Sequence, residues 1–223
     1  MALPTVIAID GPGASGKTSV GRALAERLGY RFVDTGTMYR AITWVALAQA
    51  VPLDDEQALE SLAAETEIGI ESGEGGRHTV LANGADVTFH LTSADVERAV
   101  SLVSRLAAVR RTLVAAQQRM AAGGKVVMVG RDIGTVVLPD APLKVFLEAA
   151  PQERVRRRHQ ELRMGGRAIT VTEVQEGLEG RDSLDSQRAE SPLRAAPDAW
   201  RVQTDGLTVA AVAERIIALM TKE

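Results

Sequence analysis

A short apolar run, TVIAID at residues 5–10, passes directly into GPGASGKTS at 11–19, and an amphipathic helical pattern then follows over 17–28. This junction constrains the fold more than any other part of the chain. Nine residues with three glycines, one lysine and no large side chain cannot fill a core. Gly11-x4-Gly16-Lys17-Thr18 instead has the order strand, glycine loop, helix, in which the backbone turns its N–H groups inward around phosphate oxygens. The helix that follows adds the positive end of its dipole. Lys17 can reach the outer phosphates of a nucleoside triphosphate, and the Thr18 hydroxyl can take one position on Mg²⁺. Gly11, Pro12, Gly13, Ala14, Ser15, Gly16, Lys17, Thr18 and Ser19 therefore form the candidate ATP cradle.

Further strand-like runs at 126–129 and 144–148 are short, β-branched and without alternation, as in a parallel sheet buried on both faces. Weaker candidates lie at 31–33 and 201–204. Helical patterns separate them at 37–50, 54–64, 92–104, 108–121, 151–163, 172–188 and 208–220. The expected fold class is α/β, a three-layer P-loop NTPase fold with a mostly parallel five-stranded sheet, a small antiparallel insert and a helical lid. The insert is expected near 66–90, where alternating segments are joined by a glycine-rich turn and then by Asn83-Gly84, a two-residue hairpin signal. RMGGRAIT at 163–170 reads either as a mobile flap or as an ordinary helix–helix loop. The expected division is a P-loop core at 1–34, a monophosphate-binding section at 35–110, core at 111–150, a lid with a substrate-contacting helix at 151–188, and core again at 189–223.

Composition removes several classes. With 26 basic residues against 29 acidic ones, no global field draws the chain onto nucleic acid, and 3% aromatics are too few for base-stacking platforms. No cysteine is present, which excludes disulfides and thiolate chemistry. No apolar run approaches the roughly 20 residues of a membrane span. A cytoplasmic monomer with small-molecule partners is expected. The 22 arginines against 4 lysines can follow from genome composition alone, although arginine is also the better planar clamp for phosphate.

A phosphate loop announces a triphosphate without saying what is done with it. A switch GTPase would carry an NKxD stretch, and this chain has none. It offers instead DTGTMYR at 34–40, GRDIGT at 130–135, ERVRRR at 153–158 and GRDSLDSQR at 180–188. On a helix Arg181, Asp185 and Arg188 project from one face. Such a face can hold a sugar hydroxyl and a phosphate or base, and it is equally the pattern of a surface salt-bridge ladder. Arg154, Arg157 and Arg158 read as a solvated helix face or as a lid over phosphate. Four arginines within five residues repel one another unless anions visit, which in a chain with a phosphate loop favours the lid.

These motifs resemble those of the bacterial cytidylate kinases, which pass the γ-phosphoryl of ATP to CMP or dCMP. The similarity runs through IDGP…GK at 9–17, DTGTMYR, GRDIGTVVLPDAPLKVFLEA at 130–149, ERVRRR, and RD…D..RA..PL at 181–193, and so covers nearly the whole chain. GRDIGT is its most specific tract, because adenylate kinases share TG.M.R but lack that run. The resemblance implies that Arg40 and Arg131 clamp the CMP phosphate, that Thr35, Arg110, Asp132 and Arg188 form the cytosine pocket, and that Ser101, Arg181 and Asp185 meet the ribose. It implies that Arg154 and Arg157 act from the lid on the ATP side, and that Lys17, Arg131 and Arg181 are the catalytic set. ATP is the implied co-substrate and Mg²⁺ the cofactor, bound by Thr18 with Asp34 acting through water.

Two departures stand out. The family usually has an acid before GRD, where this chain has Val129, so Asp34 or Asp132 must substitute for it. The loop reads GKTS, which leaves Thr18 and Ser19 both open as the hydroxyl on the metal. Two other readings stay open at this point. One is a P-loop kinase for UMP, AMP or a coenzyme precursor; the other is a non-catalytic ATP-sensing module, which Val129 favours and the acceptor-side arginines oppose.

Overall fold

A computed structural model describes residues 3–72 and 78–220 of the chain. Along the chain, β1 (Val6–Asp10), α1 (Lys17–Leu28), β2 (Arg31–Asp34), α2 (Thr35–Ala48) and α3 (Glu56–Glu65) open the fold. An antiparallel excursion follows, made of β3 (Ile68–Ser72), β4 (His78–Ala82) and the short β5 (Ala85–Asp86). The chain then runs through α4 (Ala94–Ser104), α5 (Ala107–Ala121), β6 (Val126–Gly130) and β7 (Leu143–Glu148). Its last elements are α6 (Pro151–Met164), α7 (Val171–Ser186), β8 (Trp200–Gln203) and α8 (Val209–Leu219).

The main sheet has the order β2-β6-β1-β7-β8, and every neighbouring pair is parallel. All five residues of β6 are buried, as the unalternating apolar run requires. One face carries α1 and α8, with Val20, Leu24, Val212 and Ile216 packed on Ile7, Val127 and Leu147. The other face buries Ala8, Val33 and Met128 under Ala121, Ile133 and Val137. The helices α2 to α5 and the insert share a separate core that includes Met38, Ile42, Leu59, Val80, Val100 and Leu113.

Register decides where the site can be. Asp10 stands opposite Gly130, and Asp34 opposite Val129, so β1, β6 and β2 end at one level. Their following loops emerge together at the carboxyl edge of the sheet, where β1 sends the chain to one side and β6 to the other. Ligands of open parallel sheets bind at such a point.

Local chemistry accounts for the shifts from the expected boundaries. The Asp34 carboxylate accepts the Gly36 N–H at 2.9 Å, so α2 starts at Thr35 and not at 37. Asn83 and Gly84 both adopt positive φ, 51° and 79°, and form the expected hairpin turn between β4 and β5. The glycine-rich turn expected just before β4 lies outside the described residues. The helix expected to reach 188 ends at Ser186, because the Leu193 N–H takes the Asp185 carbonyl at 2.8 Å and turns the chain away. Arg188 therefore follows the helix and is not part of its face.

Packing of α1 on the sheet depends on Gly21. A Cβ there would lie 2.5 Å from Val129 Cγ1 and 2.9 Å from Phe32 Cε2. Gly21→Ala is expected to cost about 1–3 kcal/mol by overpacking, read in a thermal melt as a fall of about 2–4 °C per kcal/mol.

Candidate active site

The glycine loop closes against the end of the sheet. A Cβ on Gly11 would fall 2.3 Å from the Leu147 carbonyl oxygen, so no other residue lets the loop leave β1 so close to β7. Gly16, at φ 95°, caps α1 in a conformation that side chains avoid. Lys17 folds back over the loop, its Nζ donating to the Pro12 carbonyl at 2.6 Å and reaching Ser15 Oγ at 3.4 Å. Thr18 Oγ1 donates to Asp34 Oδ2 at 2.7 Å, whereas no described residue ties Ser19 to a carboxylate.

Across from this loop, arginines are held by carboxylates and carbonyls. Arg131 Nε donates to Asp185 Oδ2 at 2.9 Å, and Asp185 also takes Arg188. Arg188 reaches Ser104 Oγ at 3.2 Å, while Arg110 donates to the Ser104 carbonyl at 3.1 Å and pairs with Asp132 in a fully buried contact. The Thr35 hydroxyl donates to the Val129 carbonyl at 3.0 Å. Arg40 donates to the Leu91 carbonyl at 3.0 Å and stands 3.8 Å from Glu97. Arg181 makes no hydrogen bond or ion pair with any described residue.

One cavity of about 770 Å³ joins the two sides. Residues 13–19 of the loop line it, as do Asp34, Thr35, Arg40, Arg110, Arg131, Asp132, Arg157, Arg181, Asp185 and Arg188. Four expected contributors are not on the cavity wall. Gly11 and Pro12 form the base of the loop. Arg154 lies behind the loop, donating to the Gly13 carbonyl at 3.1 Å and pairing with Asp182, whose other oxygen accepts the Gly13 N–H at 3.2 Å. Ser101 is not among the residues lining the cavity; Ser104, one turn later on α4, is and lies between Arg110 and Arg188.

The arginine run in α6 corrects another expectation. It is already neutralised by protein carboxylates: Glu153 takes Arg156 and Arg157, Asp182 takes Arg154, and Glu97 takes Arg158 together with Arg167. Repulsion alone therefore calls for no visiting anion there. Sequence reading missed Ser104, Glu97, Asp182 and the structural carboxylate Asp10. Glu153 was the legible one, because its spacing of three and four from Arg156 and Arg157 marks a helical pair. Nothing local in the sequence marks Glu97, whose partners are 61 and 70 residues away.

Val129, where an acid was expected, is buried in β6 among Val20, Phe32 and other apolar side chains. Asp132 is committed to Arg110. Asp34 is thus the carboxylate set against Thr18.

Burial, with Arg131 next in effect, pushes the Lys17 ammonium well below its usual pKa. Burial, followed by Arg131 and Arg40, lowers Arg181 from 12.5 to about 9. Burial opposes the charge of Asp185, yet Arg131 and Arg188 outweigh it and hold the carboxyl below its ordinary range. The uncompensated element of the cavity is therefore positive charge.

A loop that ends in a lysine serves a triphosphate, and a second cationic wall on the same cavity is needed only where another anion must be brought up to it. Fold and site together define a P-loop phosphotransferase acting on small molecules. The comparisons with known proteins narrow this class. The family profile described as Cytidylate kinase matches residues 7–222. A cytidylate kinase of Geobacillus kaustophilus is 48% identical over 216 residues, covering 97% of this chain and 96% of that protein. One from Desulfitobacterium hafniense is 45% identical over 213 residues, covering 96% and 91%. The fold is also similar to a gluconokinase from Sinorhizobium meliloti, with a TM-score of 0.51, 18% identity, and coverage of 99% of this chain and 93% of that one. The chain belongs to the cytidylate kinase family.

The depressed pKa of Arg181 carries a sign. Because the folded value lies below the unfolded one, the cost of the charge is present at every pH up to about 9 and is relieved only above it. An anion among these guanidiniums is therefore expected to stabilise the fold at neutral pH, by about 2.7 kcal/mol at a hundred times its Kd. Thermal melts with and without inorganic phosphate check this: Arg181→Met melts no lower than wild type without phosphate, and its rise in Tm with phosphate is smaller.

Proposed function

We propose that the chain transfers the γ-phosphoryl group of ATP to CMP or dCMP, giving ADP and CDP or dCDP. The observation that carries this reading is the placement of Lys17 and of Arg40, Arg131, Arg181 and Arg188 on the walls of one cavity. Family membership supports cytidylate as the acceptor.

The acceptor is a phosphate oxygen whose second pKa is about 6, so it is largely ionised at neutral pH and needs no general base. The difficulty is repulsion between two polyanions, since two unit charges 4 Å apart cost about 4 kcal/mol at an effective dielectric of 20. Lys17 and the amides of residues 13–19 take the ATP phosphates, with Arg157 beside Gly16 at the donor end. Arg40 and Arg131 take the acceptor phosphate. Arg181, which no described residue hydrogen-bonds or pairs, stands between them and stabilises the charge as it moves. Thr35, Arg110, Asp132 and Arg188 read the base, and Ser101 and Asp185 meet the ribose, with Ser104 holding Arg110 and Arg188 in place. Catalysis is then positioning and charge stabilisation.

The residues fit a magnesium ion. Thr18 and Asp34 are hard oxygen donors at the mouth of the loop, and this ion takes one or two protein oxygens with water and phosphate completing its shell. Thr18 would hold it directly and Asp34 through water, where it supplies charge neutralisation at the phosphate oxygens. Among the described residues no cluster of three or more His, Cys, Asp or Glu could hold a metal. Seating α6 and α7 on the loop, through Ala14 against Val155 and Leu178, excludes water that would otherwise hydrolyse ATP. No helix among the described residues is long and apolar enough to cross a membrane.

The test is ADP release with CMP, dCMP, UMP and AMP as acceptors in the presence of ATP and Mg²⁺. CMP and dCMP are expected to be used fastest; equal rates with AMP, or no release above background, would overturn the reading. In the same assay Lys17→Ala is expected to lower kcat by about 10²–10³, while Arg131→Ala chiefly impairs use of CMP.

A further inference from the structure

Asp10 is the last residue of β1 and the one immediately before Gly11. Its side chain is 3% exposed and does not line the cavity. One carboxylate oxygen accepts the Ile133 N–H at 2.8 Å, and the other accepts the Gly134 N–H at 2.8 Å. Both amides open the wide single turn Ile133–Val137, directly after Arg131 and Asp132. Burial lifts the Asp10 pKa to about 6, even though the two N–H groups pull it down. A buried carboxylate is thus retained at a cost, and an apolar residue would fill the same space without one. What an apolar residue cannot do is accept from two successive backbone donors.

The register makes this contact informative. Asp10 and Gly130 are paired in the sheet, and both chains leave it at the next residue. Beyond that level, among the described residues, no other side-chain hydrogen bond joins residues 10–16 to 131–137. The fit is close: a Cβ on Gly134 would sit 3.4 Å from Asp10 Oδ2 and 3.3 Å from the Lys144 side chain. On one side of Asp10 lies the loop that ends in Lys17, and on the other the loop that carries Arg131.

We propose that Asp10 is a positioning residue that sets the separation between phosphoryl donor and acceptor, by tying the root of the glycine loop to the loop bearing Arg131 and Asp132. This rests on the kinase reading given above and adds a residue that touches neither nucleotide. Each nucleotide has its own set of contacts. Loosening the tie leaves both sets intact and changes only their relation.

Asp10→Asn tests it, because the amide keeps the size and one acceptor oxygen while turning an NH₂ group toward a backbone donor. Calorimetric Kd values for ATP alone and CMP alone are expected to stay within about threefold of wild type, while kcat falls about a hundredfold, the loss typical of an ångström-scale misplacement. Asp10→Glu keeps the charge and both acceptor oxygens but lengthens the tie by one methylene, and a smaller loss of kcat with unchanged Kd is expected. An unchanged kcat in Asp10→Asn, or a loss matched by equal losses of nucleotide affinity, would overturn the proposal. If Asp10→Asn does not fold, Asp10→Glu decides on the same criterion. A wild-type protein that neither binds nor phosphorylates CMP would overturn the kinase reading instead.

Discussion

Positive charge crowded into one enclosed space is the constraint to which the rest of the structure answers. Lys17, Arg40, Arg131, Arg181 and Arg188 share a cavity in a chain whose net charge is −3. The fold brings them together because three parallel strands end at one level and the following loops emerge at a single edge. The cost is visible in the depressed pKa values of Lys17 and Arg181. That depression is a ground-state property with a purpose: a site already strained by like charges gains most from the anions that relieve it.

Carboxylates moderate the crowding selectively. Asp185 holds Arg131 and Arg188 in place, Asp132 fixes Arg110, and Glu97 gathers Arg158 from α6 and Arg167 from the turn after it while standing near Arg40. Each of these acids orients a guanidinium by a directed bond and leaves other N–H groups of the same fork available. Arg181 is left outside this arrangement. Its charge is answered only by the more distant Asp185, against the repulsion of Arg131 and Arg40.

Much of this was legible in the residues. Gly11, Gly16 and Lys17 announced the loop, because few other structures need that spacing after an apolar strand. β1, β6 and β7 were visible as short β-branched runs, and Asn83-Gly84 marked its hairpin because both positions need positive φ. The sequence was silent where long-range contacts decide. The wide turn at Ile133–Val137 has no periodicity of its own and is held by Asp10, 123 residues earlier for Ile133. Choosing between Ser101 and Ser104 requires knowing which turn of α4 faces Arg110. The end of α7 at Ser186 depends on the return of Leu193. The arginines of α6 were read as unpartnered because the acids from Glu97 and Asp182 are remote or belong to another helix.

The footing of α7 on the glycine loop carries a consequence for the shape of that loop. Asp182 places a carboxylate on the Gly13 amide, and Arg154 clasps both. The Gly13 amide is thus engaged by a side chain that does not line the cavity, and the donors left to a phosphate are those of the loop residues after it. The first bend of the glycine loop is in this way braced from behind by the chain's own ion pair, whatever occupies its concave side.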